Sequence, residues 1–147
     1  MTFSIRPLRS DERAAWEALW QSYLTFYGAS VTPETTAATW SRLRDPAEPM
    51  HALGAFSGSD LAGIVHYIFH RSTWTTGDYC YLQDLFTAEP ARGRGVGRAL
   101  IEAVYEHAKL AGASRVYWLT HESNAPARAL YDRVADRPGF IQYRRVF

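Results

Sequence analysis

A chain of 147 residues, 47% of them hydrophobic and 14% aromatic, has apolar area for one core and fits one domain over residues 1–147, because cores divide only beyond about 250 residues. Its 16 basic and 15 acidic residues leave a formal charge of +1, too weak a field to hold nucleic acid or anionic lipid, so neither is an expected partner. One cysteine, Cys80, excludes an intrachain disulfide, the first residues alternate rather than forming an apolar leader, and no apolar run reaches the ~18–20 residues that span a bilayer, so a cytoplasmic protein away from membranes is expected.

Residues 2–8 place Phe3, Ile5 and Pro7 on one parity and predict a short first strand. Ser10 is a suitable N-cap, with Asp11 and Glu12 behind it. Trp16, Leu19, Trp20, Tyr23, Leu24 and Tyr27 then recur at helical spacing until Gly28. Thr32 followed by Pro33 predicts a second helix carrying Trp40 and Leu43, ended by Asp45 and Pro46. From His51 the pattern is extended: residues 52–56, a turn at 57–60 and residues 61–69 predict a hairpin, and residues 79–87 a fourth strand. The stretch 92–97 leads into a helix with Val96, Leu100, Val104, Ala108 and Ala111 on one face, closed by Gly112. Residues 116–119 predict a fifth strand, 124–135 a fourth helix, and 140–147 a last extended piece after Gly139. The order β-α-α-β-β-β-α-β-α-β is that of a mixed α/β sheet with helices on both faces.

The strongest local signal is Arg92-Gly93-Arg94-Gly95-Val96-Gly97-Arg98 between a strand and an amphipathic helix. Glycines let the backbone approach a ligand and turn N–H groups inward, and the first helical turn adds free donors and the positive end of its dipole. With three arginines as charge-assisted donors, this reads as a pyrophosphate site. A dinucleotide fingerprint would need glycine at Leu100 or Arg98, and a phosphate-binding loop of the Walker type would need Lys-Ser/Thr after Gly97, so neither fits.

Arg92-x-x-Gly95-x-Gly97 resembles the R/Q-x-x-G-x-G/A loop of the GNAT superfamily of N-acetyltransferases. Residues 81–86, Tyr-Leu-Gln-Asp-Leu-Phe, are similar to that fold's fourth strand, and Asn124-x-x-Ala127-x-x-Leu130-Tyr131 looks most like the branch of spermidine/spermine and small histone and polyamine acetyltransferases. The resemblance implies a mixed central sheet of about six to seven strands, with the fourth and fifth splayed. It implies acetyl-coenzyme A as co-substrate, its pantetheine arm paired to main-chain groups at Leu85 and Thr87 and its pyrophosphate held by residues 92–98. It makes Asn124 a contact near the pantetheine, beside Ala127, and Tyr131 the general acid. Asn124 and Tyr131 are two helical turns apart and can line one groove; Asn124 is equally suited to a plain N-cap, and Tyr131 to a core aromatic.

The chemistry follows from the residue types. An ammonium must lose a proton before it attacks a thioester, a main-chain N–H near Leu85 or Phe86 can stabilise the oxyanion, and a tyrosine with pKa ~10 can protonate the departing thiolate. Direct transfer to a small-molecule amine in a ternary complex is the expected reaction. Gln83 stands where polyamine-acetylating relatives carry glutamate, and an amide takes no proton at neutral pH. Asp84 comes next, yet adjacent strand residues point to opposite faces, so it cannot simply replace that glutamate. The base stays open among Asp84, His121, Glu122 and a water chain. His66 and His70 share a strand face, with an interior role favoured over a metal. Cys80 reads as a small buried side chain rather than an acyl carrier. Protein lysines or N-termini are the alternative acceptors, a non-catalytic coenzyme A sensor the alternative function, and a homodimer through residues 140–147 the expected assembly.

Overall fold

The computed structural model describes residues 2–147. In chain order the elements are β1 (Ser4–Arg6), a 3-10 turn (Ser10–Glu12), α1 (Arg13–Phe26), α2 (Pro33–Arg44), β2 (Met50–Ser57), β3 (Asp60–His70), β4 (Tyr79–Thr87), a second 3-10 turn (Glu89–Ala91), α3 (Val96–Leu110), β5 (Arg115–Tyr117) and α4 (Ala125–Val134). The strands form one sheet in the order β1-β2-β3-β4-β5. Its pairs are antiparallel except β4 with β5, which run parallel because α3 crosses between them.

Each face of the sheet carries a core. Leu53, Val65, Tyr67, Cys80 and Leu82 pack against Val96, Leu100, Ile101, Val104 and Ala108 of α3. On the opposite face, Phe56 and Ile64 meet Trp16, Trp20 and Leu24 of α1 and Trp40 of α2. The spacing of Trp16, Trp20 and Leu24 puts one side chain per turn on the sheet. The rings of Trp16 and Trp20 stack with centroids 6.0 Å apart and planes 9° from parallel.

Local chemistry sets the helix starts. Thr32 caps α2, its Oγ1 accepting the N–H of Thr35 at 3.1 Å. Before α1 the capping group is Glu12 rather than Ser10: its carboxylate accepts the Arg9 N–H at 2.7 Å and the Arg6 guanidinium at 2.9 and 2.8 Å. That guanidinium, then the Arg9 N–H, hold the Glu12 carboxyl down at about 2, against the opposing effect of burial. The start of α3 depends on Gly63 of β3, which pairs with Thr87. A Cβ at Gly63 would stand 2.8 Å from Val96 Cγ1 and 3.2 Å from Leu100 Cδ1. Glycine therefore lets the first turn of α3 sit directly on the sheet, beside the end of β4.

Two expectations are corrected. The sheet has five strands, not six or seven, and residues 140–147 form no strand. A strand needs a paired edge, and β5, only three residues long, offers too little edge to hold one.

Candidate active site

β4 runs to Thr87, but its pairing with β5 ends at Tyr81 opposite Tyr117. Beyond that point the strands part. The gap is a cleft of about 560 Å³ lined by Leu85, Thr87, Arg92, Gly93, Gly95, Val96, Gly97, Arg98, Pro126, Ala127, Leu130, Tyr131 and Arg133. β4, the glycine loop and α4 thus converge on one space.

The loop is shaped for an anion. Gly93 and Gly95 have φ of 77° and 81°, the left-handed region that side chains avoid, and Gly95 is the N-cap of α3. The first-turn N–H groups of α3 have no partner within the helix, so the loop and helix start offer converging donors and a positive dipole end. Arg92 is anchored by an Nε–H bond to the Thr87 carbonyl at 3.1 Å, and its guanidinium lies over the Phe86 ring at 5.4 Å. These features fit the pyrophosphate of a coenzyme A thioester, and the parted strands fit its extended arm.

Tyr131 reaches the cleft from α4, which Tyr105 ties to α3 through a 2.8 Å bond to the Val134 carbonyl. Its ring meets Trp118 edge-on at 5.3 Å. Burial first, and then the proximity of Tyr27, push its phenol up to about 12.

The other residues singled out from the sequence lie elsewhere. Phe86 turns to the opposite face, edge-on to Tyr23 at 6.2 Å. Arg94 and Asn124 do not line the cleft. Asn124 occupies the N-cap position of α4 without a side-chain capping bond. His121 and Glu122 are exposed. Cys80 is fully buried, and burial pushes its thiol up to about 12. His70 bonds the Tyr117 hydroxyl at 2.7 Å and the Arg71 carbonyl at 2.8 Å, whereas His66 has different partners, so the two share a strand face but not a site.

Asp84 is the main departure from the expected parity. Register shifts between His66 and Tyr67, which pair with Asp84 and Leu82, so Gln83 is an extra, exposed residue in β4. This bulge reverses the alternation. Cys80 and Leu82 face α3, and without the bulge Asp84 would follow them into that core. It is instead turned to the α1 face, where its Oδ2 lies 2.9 Å from His66 Nδ1. The strand-parity objection to Asp84 does not hold in the folded chain.

Around Asp84 the sequence reading missed a polar network. His66 is 3% exposed and the Asp84 side chain 14%. His66 Nε2 accepts the indole N–H of Trp16 at 2.9 Å. The Tyr23 hydroxyl lies close to Asp84, and burial together with that carboxylate pushes its pKa well above the ordinary tyrosine value. Burial and then Asp84 also raise Tyr27 and Tyr81. Trp16, Tyr23 and Tyr27 lie on the helical stripe that reads as core; only their N–H and O–H groups, facing a polar strand position, signal another role.

The pattern of the Acetyltransferase (GNAT) family matches residues 15–135. The chain belongs to that GNAT family. It is 34% identical over 143 residues to the D-amino-acid N-acetyltransferase HPA3 of Saccharomyces cerevisiae, spanning 96% of this chain and 89% of that protein. It is also 34% identical over 98 residues to a thialysine N-epsilon-acetyltransferase of Caenorhabditis elegans, spanning 65% of this chain and 61% of the other. In fold it is similar to AAC(6')-Iy, solved in complex with a bisubstrate analog, at a TM-score of 0.85 and 14% identity, covering 100% of this chain and 99% of that one. This GNAT protein is an acetyl-coenzyme A-dependent N-acetyltransferase. Among its described residues no helix is long and apolar enough to cross a membrane.

Proposed function

We propose that the enzyme acetylates the free amine of a small molecule, an amino acid or polyamine-like amine, by direct attack within a ternary complex. The observation that carries this reading is the placement of two polar centres about β4: Tyr131 in the cleft beside the glycine loop, and Asp84 on the α1 face among Tyr23, Tyr27 and Tyr81. Tyr27 is within electrostatic reach of both Asp84 and Tyr131. The relatives named for D-amino acids and thialysine support an acceptor of this size.

In this reading the N–H groups of residues 92–98 hold the pyrophosphate, and main-chain groups at Leu85 and Thr87 receive the pantetheine arm. The N–H near Leu85 or Phe86 faces the developing oxyanion. Asp84 draws in the acceptor's ammonium, whose proton passes to that carboxylate or to a water beside it before the amine attacks. Tyr131, whose burial keeps its proton in place, delivers that proton to the departing thiolate. Asn124, at the N-cap position of α4, is a contact for the pantetheine arm.

Thiol release with acetyl-coenzyme A, measured across D- and L-amino acids, polyamines, peptides and protein N-termini, tests this. Saturable release with small amines is expected. Release only with peptides or proteins, or tight cofactor binding with no release, overturns it. The exposed apolar side chains of residues 140–147 and the outer edge of β5 further support a homodimer.

A further inference from the structure

The buried polar centre of the α1 face is a chain of three side chains from three elements: Trp16 of α1, His66 of β3 and Asp84 of β4. An indole N–H can only donate. His66 Nε2, 2.9 Å from Trp16 Nε1, must therefore accept and cannot carry a proton. The ring's single proton is left on Nδ1, which donates it to Asp84 Oδ2 at 2.9 Å. A charged imidazolium would set its Nε2–H against the N–H of Trp16, a residue that is 0% exposed and packed on Trp20 and Trp40.

We propose that Trp16 and His66 are positioning residues: together they fix the imidazole in its neutral Nδ1–H form, so that Asp84 is held in place and keeps its negative charge for a cationic acceptor. The proposal rests on the reading that the acceptor approaches Asp84.

Two features argue for it. A salt bridge to a charged histidine would cancel the carboxylate, whereas the neutral ring supplies a hydrogen bond and leaves the charge free. A carboxylate also has about four acceptor sites; His66 fills one. A partly exposed anion with acceptor capacity to spare, within electrostatic reach of Tyr27 and Tyr81, suits an N–H donor that brings positive charge.

The test combines nitrogen-15 NMR of the His66 ring with steady-state kinetics. In the wild-type enzyme the ring should show a protonated Nδ1 and a bare Nε2 at neutral pH; a protonated Nε2, or a charged ring, overturns the proposal. Trp16→Phe should lose that single-tautomer signature. His66→Leu should raise the KM for the amine about 10- to 100-fold with acetyl-coenzyme A affinity within about 3-fold, and His66→Asn, whose amide N–H can replace Nδ1–H, should recover most of the loss. Equal losses for both substrates, or no rescue by asparagine, would mean a structural role only. Should His66→Leu fail to fold, the wild-type and Trp16→Phe spectra still decide. The ring spectrum needs no acceptor, so it also separates failure of this relay from failure of the proposed reaction, which the amine panel reads.

Discussion

Tyr81 and Asp84 share the α1 side of β4 although they are three positions apart, because Gln83 bulges out of the strand between them. The cores on either side enforce this. Leu82 and Leu85 belong with α3 and Phe86 with α1, and a regular strand would drive the Asp84 carboxylate into the apolar α3 core at a cost of several kcal/mol.

Asp84→Ala should therefore lower kcat/KM for the amine by about 10²-fold while acetyl-coenzyme A binds within a few-fold, and Gln83→Ala should change neither by more than about 3-fold. Steady-state kinetics on both variants checks this. The reverse ranking would return the acceptor site to the Gln83 face.

Tyr131→Phe removes a hydroxyl and little volume, so cofactor affinity should stay within a few-fold while kcat falls by about 10²-fold. The pH dependence has a defined sign. Burial raises the phenol to about 12, so the acid form persists through the alkaline range, and kcat should show no descending limb from Tyr131 up to about pH 10, where an ordinary tyrosine would be half ionised. A limb near that pH, absent in Tyr131→Phe, would identify Tyr131 as the acid but contradict the raised phenol; a limb that persists in Tyr131→Phe belongs to another group.

Gly95→Val puts a β-branched side chain at φ 81°, a conformation costing about 1–2 kcal/mol. Beyond its chain neighbours no protein atom lies within 4 Å of the added Cβ, and Gly95 lines the cleft. Cofactor affinity should fall by at least about 10²-fold. Gly28→Val is the control, since Gly28 has φ 63° and is similarly uncrowded but lies after α1, away from the cleft. It should lose thermal stability to a similar degree and bind acetyl-coenzyme A normally, as calorimetry on the two variants would show.

Much of this was legible in the sequence for physical reasons. The glycines of 92–97 announce a backbone no other residue tolerates, and helical spacing from Trp16 to Tyr27 is hard to read otherwise. The bulge has a weaker mark: the α3-facing residues Cys80, Leu82 and Leu85 are spaced by two and then three, which strict alternation hides. His66 stayed obscure because its partners lie 50 positions away at Trp16 and 18 at Asp84. The final strand failed because residues 140–147 have strand-like composition, whereas strand formation depends on a neighbour that composition does not reveal.

Glu12 supports the entry to α1, and its contribution depends on charge. Its carboxyl is held at about 2 in the folded chain against 4.5 ordinarily, so the stabilisation is fully present above about pH 4.5 and is lost as pH falls toward 2. Glu12→Gln should lower Tm by a few degrees at neutral pH, given about 3 °C per kcal/mol for a chain of this size. The gap from wild type should narrow as pH falls below 4.5 in thermal melts. A gap independent of pH would show that shape, not charge, matters at this position.

Residues 140–147 present Phe140, Ile141, Tyr143, Val146 and Phe147 to solvent, with Phe140 89% exposed. β5 is the last strand in the sheet order, and its outer main-chain groups are unpaired by any other strand. Several large apolar side chains exposed in one segment are rarely left bare in a monomer, and a second copy supplies apolar cover. The competing outcome is a monomer whose tail folds back onto its own surface. Light scattering at micromolar concentration distinguishes them: a mass near 16.7 kDa excludes the dimer. A mass near twice that, reverting to the monomer value when residues 140–147 are deleted, assigns the contact to this segment. A dimer that survives the deletion places the interface elsewhere.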